Sequence, residues 1–163
     1  MAVSLVGRSP NLHNHAMEVA DRDRLVSAIG RALAPASEVQ AALLFGSRAT
    51  GRARPDSDID VAVLLEPATA ATEDPRSLLR RLLEALATEL SADRTDLVIL
   101  NDAPPALAFQ VLKYGVPAFE REPLALHRFR VRTYGKHADY APVESFFREV
   151  TRRRVLGGTR HGG

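Results

Sequence analysis

Two apolar runs flank a polar one between residues 41 and 65: AALLF, then GSRATGRARPDSD, then IDVAVLL. The apolar runs are five and seven residues long, which suits strands better than helices. The polar stretch between them is rich in turn formers. A chain with this segment needs a sheet, with one strand running into Gly46-Ser47 and another beginning at two aspartates. In the second run Ile59, Val61, Val63 and Leu65 alternate with Asp60, Ala62 and Leu64. The same alternation puts Asp58 and Asp60 on one strand face.

The rest of the chain supplies elements to cover such a sheet. From Asp21 the pattern is helical, with Leu25, Val26, Ile29 and Leu33 on one face and Pro35 as the stop. Asp74-Pro75 opens a second helix, with Asp74 as N-cap and a stripe from Leu78 to Leu90. Asp96-Leu97-Val98-Ile99-Leu100 reads as a third strand. Pro104-Pro105 opens a helix through Tyr114, ended by Gly115, and Val116–Phe119 reads as an edge strand where Pro117 is tolerable. Tyr114, Phe109 and Phe119 are expected in the core. Residues 122–140 and a segment to about Val155 read as C-terminal helices. The expected fold class is α/β (α+β): a mixed sheet with helices packed on one face, plus C-terminal helices. The expected organisation is a mobile leader over 1–20, a domain over 21–125, basic helices over 126–156 and a disordered tail over 157–163.

Length and composition narrow the chemistry. At 163 residues the chain has room for one domain and a tail. Cysteine is absent, which excludes disulfides, zinc-thiolate sites and thiol nucleophiles. No apolar run approaches the ~20 residues of a membrane-spanning helix. The start lacks the apolar core of a secretory signal, so the expected location is cytoplasmic. Residues 1–125 hold 13 Lys+Arg and 17 Asp+Glu, net −4, while residues 126–163 hold 9 and 3, net +6. The basic end suits either a solvated helix face or a surface that meets nucleic acid or an acidic protein.

Two carboxylates side by side repel unless a cation offsets them, and Asp58 and Asp60 are such a pair. Magnesium binds few protein carboxylates and completes its shell with water and substrate phosphate. Gly46 lets backbone approach a phosphate closely, and Ser47 offers a hydroxyl and an N–H. The segment therefore reads as a site for a nucleoside triphosphate with metal. If the strand beginning at Asp96 lies beside strand 59–65, Asp96 completes a two-metal arrangement as second-metal ligand and candidate general base. Asp93 is a rival, but it sits in a turn without a following apolar strand. Ser47 has no histidine near it in the motif, so a phosphate contact fits it better than a nucleophile.

GSRATGRARPDSDIDVAVLL resembles the Gly-Ser, gap, Asp-x-Asp signature of the DNA polymerase β-like nucleotidyltransferase superfamily. The later segment TDLVILNDAPPALAFQVLKYGVPAFERE resembles the minimal nucleotidyltransferases of the MntA family, the antitoxins of type VII pairs with HEPN (HepT-like) ribonuclease toxins. The resemblance covers about residues 22–155 and implies a nucleotidyltransferase fold. It implies Gly46 and Ser47 as nucleotide-binding residues, with Arg48 beside them to touch a phosphate or pair with a carboxylate. It implies Asp58, Asp60 and Asp96 as catalytic carboxylates holding two magnesium ions. The activity implied is adenylylation: AMP moves from ATP to a tyrosine hydroxyl of the HEPN toxin. That toxin is a separate chain in a hetero-oligomer; neither direct nucleic-acid binding nor a membrane is expected. Two other readings keep the fold: transfer to a small-molecule hydroxyl such as an aminoglycoside, and neutralisation by binding alone. Arg132 and His137 have an Arg-x4-His spacing similar to HEPN ribonucleases, but residues 122–163 are too few for a HEPN bundle.

Overall fold

The structure is a computed structural model that describes residues 10–54, 56–68, 74–90 and 94–136, with side chains from residue 19 onward. Helix α1 spans Pro10–Leu33, strand β1 Val39–Phe45, the single-turn helix α2 Gly46–Ala49 and strand β2 Ile59–Leu65. Helix α3 follows over Pro75–Leu90, then β3 over Thr95–Ile99, helix α4 over Pro105–Tyr114 and β4 over Val116–Glu120. A last helix, α5, covers residues 123–136.

The four strands form one sheet in the order β3-β2-β1-β4. β1 runs antiparallel to β2 and to β4, and β2 runs parallel to β3. The sheet is therefore mixed, as expected. A parallel neighbour requires a crossover, and α3 lies within it. Asp74 caps α3 as its sequence position suggests: the Ser77 N–H donates to Asp74 Oδ2 at 2.9 Å. Pro117 sits on the edge strand β4, where a missing N–H is tolerated.

Helices cover both faces of the sheet rather than one. On the first face Val61, Val63 and Leu65 of β2 pack in one cluster with Ile29 and Leu33 of α1 and Leu78, Leu82 and Leu86 of α3. On the second, Ala41, Leu43, Ala62 and Leu64 pack with Ala108, Val111 and Leu112 of α4 and Leu126 of α5. The physical reason is in β2 itself. Its alternate positions are apolar too, and a strand apolar on both sides has to be covered on both.

Two boundaries also differ from expectation. Residues 10–20, read as leader, belong to α1, whose start at Pro10 suits a residue with no N–H to donate. The boundary at 125/126 falls inside α5, where Leu126 is buried and Tyr134 meets Phe109 with ring centroids 5.1 Å apart. The remaining leader residues 1–9, the second basic helix and the 157–163 tail lie outside the described residues. No helix among the described residues is long and apolar enough to cross a membrane.

Candidate active site

β1 ends at Phe45 in extended backbone, and the chain turns at once through Gly46, whose φ of +71° is in the left-handed region. Only glycine enters that region without penalty. A Cβ at Gly46 would lie 1.9 Å from Asp60 Oδ2, so the missing side chain is also what lets the Asp60 carboxylate lie against this turn. Ser47 follows in the single turn of α2. The Ser47 carbonyl accepts the Arg52 N–H at 2.9 Å, and the Thr50 hydroxyl donates to the Gly46 carbonyl at 3.0 Å.

The loop back to β2 closes by contacts between Arg54 and Ser57. Ser57 N–H donates to the Arg54 carbonyl at 3.0 Å, and Arg54 N–H donates to Ser57 Oγ at 2.8 Å. Arg48 anchors this loop. Its Nε and Nη2 both donate to the Ser57 carbonyl, at 3.1 and 2.8 Å, and its Nη1 reaches Asp21 Oδ2 of α1 at 3.4 Å. Of the two roles expected for Arg48, the one visible is pairing with a carboxylate, and its remaining donors hold the residue next to Asp58.

Register brings the acids together. Asp60 is the partner of Phe45 across β1 and of Asp96 across β3. Partners in adjacent strands project to the same side of a sheet, here the side of Ala62 and Leu64 under α4. Ile59 N–H donates to the Arg94 carbonyl at 3.1 Å, which fixes the start of β2 against the start of β3. Asp58, one residue before β2, is exposed, with Arg94 Nε 4.0 Å from its Oδ1. The Asp60 carboxyl is pushed above the usual carboxylate value, first by burial, then by the charges of Asp96 and Asp58. No hydrogen bond or ion pair to the Asp60 or Asp96 side chain occurs among the described residues.

Among the described residues no three His, Asp or Glu side chains form a closed ligand set for a metal. The donors present are open carboxylates: Asp58 has Arg94 at 4.0 Å, and Asp60 and Asp96 have no ion pair among the described residues. Such a set fits magnesium, which is usually held by one or two carboxylates plus substrate phosphate and water. Asp93 and His137 lie outside the described residues.

The structure adds residues that the motif does not contain. Beside Gly46 lies a recess of about 440 Å³ lined by Phe45, Gly46, Thr50, Arg52, Gln110 and Tyr114. Tyr114, expected in the core, is 52% exposed at the end of α4. Gly115 then ends the helix for a reason other than a left-handed turn: a Cβ there would meet the Val111 carbonyl at 2.5 Å. The sequence signal was Tyr114's position off the Ala108, Val111, Leu112 stripe.

The family model described as polymerase beta, nucleotidyltransferase matches residues 28–124, which include all six motif residues and the recess. A search of curated proteins finds no match. Among solved structures, a crystal structure of a toxin–antitoxin with AMP-PNP is 26% identical, with 80% of this chain and 98% of that chain covered and a TM-score of 0.62. A crystal structure of the toxin–antitoxin MntA–HepT is 25% identical, with 81% and 97% covered and a TM-score of 0.56. A chain from the structure of a tri-AMPylated Shewanella oneidensis HEPN toxin in complex with MNT antitoxin has the same fold at 24% identity, with 82% of this chain and 98% of that chain covered and a TM-score of 0.56.

Proposed function

Because the chain belongs to the polymerase beta nucleotidyltransferase family, we propose that it is an antitoxin-type adenylyltransferase that moves AMP from ATP to a tyrosine hydroxyl of a HEPN-domain toxin. The observation that carries the reading is Asp60, which lies against the Gly46 turn and is the register partner of Asp96, its carboxyl pushed upward first by burial and then by the charges of Asp96 and Asp58. The antitoxin role is supported by similarity to chains of toxin–antitoxin complexes, one of them with the ATP analogue AMP-PNP. The toxin is a separate chain in a hetero-oligomer, and the expected setting is the cytoplasm.

In this reading Asp58 and Asp60 would hold magnesium with the triphosphate, and Asp96 would serve as ligand for a second ion. Bound magnesium supplies charge neutralisation at the phosphates and a lower pKa for the acceptor hydroxyl, which is about 10 when free. Ser47 contributes its hydroxyl and backbone N–H to the phosphate oxygens. Arg48 keeps the Asp58 loop in place through the Ser57 carbonyl. The tyrosine oxygen attacks the α-phosphorus, the bond to the β-phosphate breaks, and pyrophosphate leaves. Asp96 accepts the tyrosine proton and passes it to water.

The test is mass spectrometry of a HEPN-domain toxin incubated with this chain, ATP and magnesium. The expected result is a mass gain in AMP steps, lost in the Asp58→Ala plus Asp60→Ala variant. A stable complex with no mass gain would replace this reading by neutralisation through binding. Turnover of ATP only with a small hydroxyl compound would move the acceptor to that class.

A further inference from the structure

The carboxylates and the Gly46 turn account for a triphosphate and leave the base unexplained. Gly46 is a shared wall. The direction its Cβ would take meets Asp60 Oδ2 at 1.9 Å, and Gly46 also lines the recess of about 440 Å³. A nucleotide whose phosphates lie at the acids therefore has this recess as its neighbouring cavity. Its volume falls in the range of small-molecule sites, ~300–1,000 Å³.

The recess walls have the chemistry of a base site. Tyr114 and Phe45 supply aromatic surface. Tyr114 is half exposed, while the Lys113 ammonium lies 5.0 Å from its ring centroid and holds the ring at the end of α4. Gln110, one turn earlier on α4, lines the same recess, and its side chain makes no hydrogen bond among the described residues. A glutamine amide offers a donor and an acceptor side by side, which matches the N6 donor and ring-nitrogen acceptor on an adenine edge. Guanine presents O6 in place of the N6 donor. Arg52 and Thr50 add polar groups to the same recess.

The geometry points to this recess as the adenine subsite, with Tyr114 stacking on the base and Gln110 reading its edge. The inference rests on the nucleotidyltransferase reading and deepens it by assigning base choice to α4. It separates two jobs: Gly46, Ser47 and the acids serve the phosphates, and Gln110 and Tyr114 choose the nucleotide.

The test is calorimetric titration of the full chain, in magnesium, with ATP, GTP and inorganic tripolyphosphate. The wild type is expected to prefer ATP over both others. Tyr114→Ala is expected to lose about tenfold or more in ATP affinity, the scale of one base–aromatic stack, with tripolyphosphate binding unchanged. Tyr114→Phe retains ATP affinity because the ring is kept. Gln110→Ala levels ATP and GTP, and it serves as the second variant if Tyr114→Ala does not fold. An unchanged ATP affinity in Tyr114→Ala overturns the subsite while leaving the transferase reading intact, as does an equal loss for ATP and tripolyphosphate. A wild type that binds none of the three ligands overturns both.

Discussion

Gly46→Ala is the substitution whose effect the structure specifies most fully. The backbone there has φ +71°, and a residue with a Cβ pays about 1–2 kcal/mol to adopt it. The new Cβ would also lie 1.9 Å from Asp60 Oδ2, 2.8 Å from Cγ and 3.2 Å from Cβ. The last contact is tight but tolerable. The first two force the Asp60 carboxylate to turn away, at about 0.5–1.5 kcal/mol for a displaced rotamer. The total is about 2–3 kcal/mol, or a fall in Tm of roughly 4–12 °C for a chain of this size. The chemical loss is expected to be larger than the stability loss. A carboxylate swung off its position costs the transfer rate on the order of a hundredfold or more. A double-mutant cycle separates the two terms. In an Asp60→Ala background Oδ2 and Cγ are gone, so Gly46→Ala should cost only the backbone term, leaving a coupling of about 1 kcal/mol. Thermal melts of the four proteins and single-turnover transfer to the toxin measure both. Equal costs in the two backgrounds, together with a Gly46→Ala transfer rate within about twofold of wild type, would refute the argument.

Two further substitutions test the same site from other sides. Asp60 binds its proton more tightly when folded than when unfolded, so metal-free protein loses stability as pH rises from the ordinary value of 3.8 through the raised one. Asp60→Asn should remove that fall and be the more heat-stable protein at neutral pH in chelator, with added magnesium narrowing the gap; melts that coincide across the pH series would contradict this. Arg48→Ala frees the Ser57 carbonyl and the loop before Asp58, and is expected to lower transfer about ten- to a hundredfold while costing only ~1 kcal/mol of stability. Arg48→Lys should recover little, because one ammonium cannot reproduce the two-nitrogen contact at Ser57 together with the reach to Asp21. Full activity in the lysine variant would show that charge alone matters.

The acid cluster was legible because strand alternation is a strict two-residue period. Once Ile59, Val61 and Val63 are assigned to one face, Asp58 and Asp60 have only the other. Asp96 followed from a second apolar run, and the parallel pairing of β2 with β3 placed it beside Asp60. The covering of both sheet faces was written in Ala62 and Leu64, which a half-solvated strand would not need, but the alternation of its first residues masked it. Arg48's contact with Ser57 could not be read, because a backbone carbonyl has no identity in the sequence. Tyr114 was misplaced because aromatic residues are few here and usually packed, and only the helix geometry shows it turned from the stripe that Val111 and Leu112 share. The early start of α1 lacked a signal of similar kind, since apolar periodicity fades before Asp21.

The pairing of Phe45 with Asp60 has a consequence for how this site resists damage. Slippage of β2 by one residue along β1 would carry Asp60 to the opposite sheet face and drive Val61, Val63 and Leu65 out from under α1 and α3. Hydrophobic packing thus acts as a ratchet on the chemistry. The acids cannot drift by small steps, because the smallest available step unpacks a core cluster. Residues 50–54 lie outside the ladder and are free of this constraint, whereas Ser57, held by Arg48, ties the far end of that connection to Asp58.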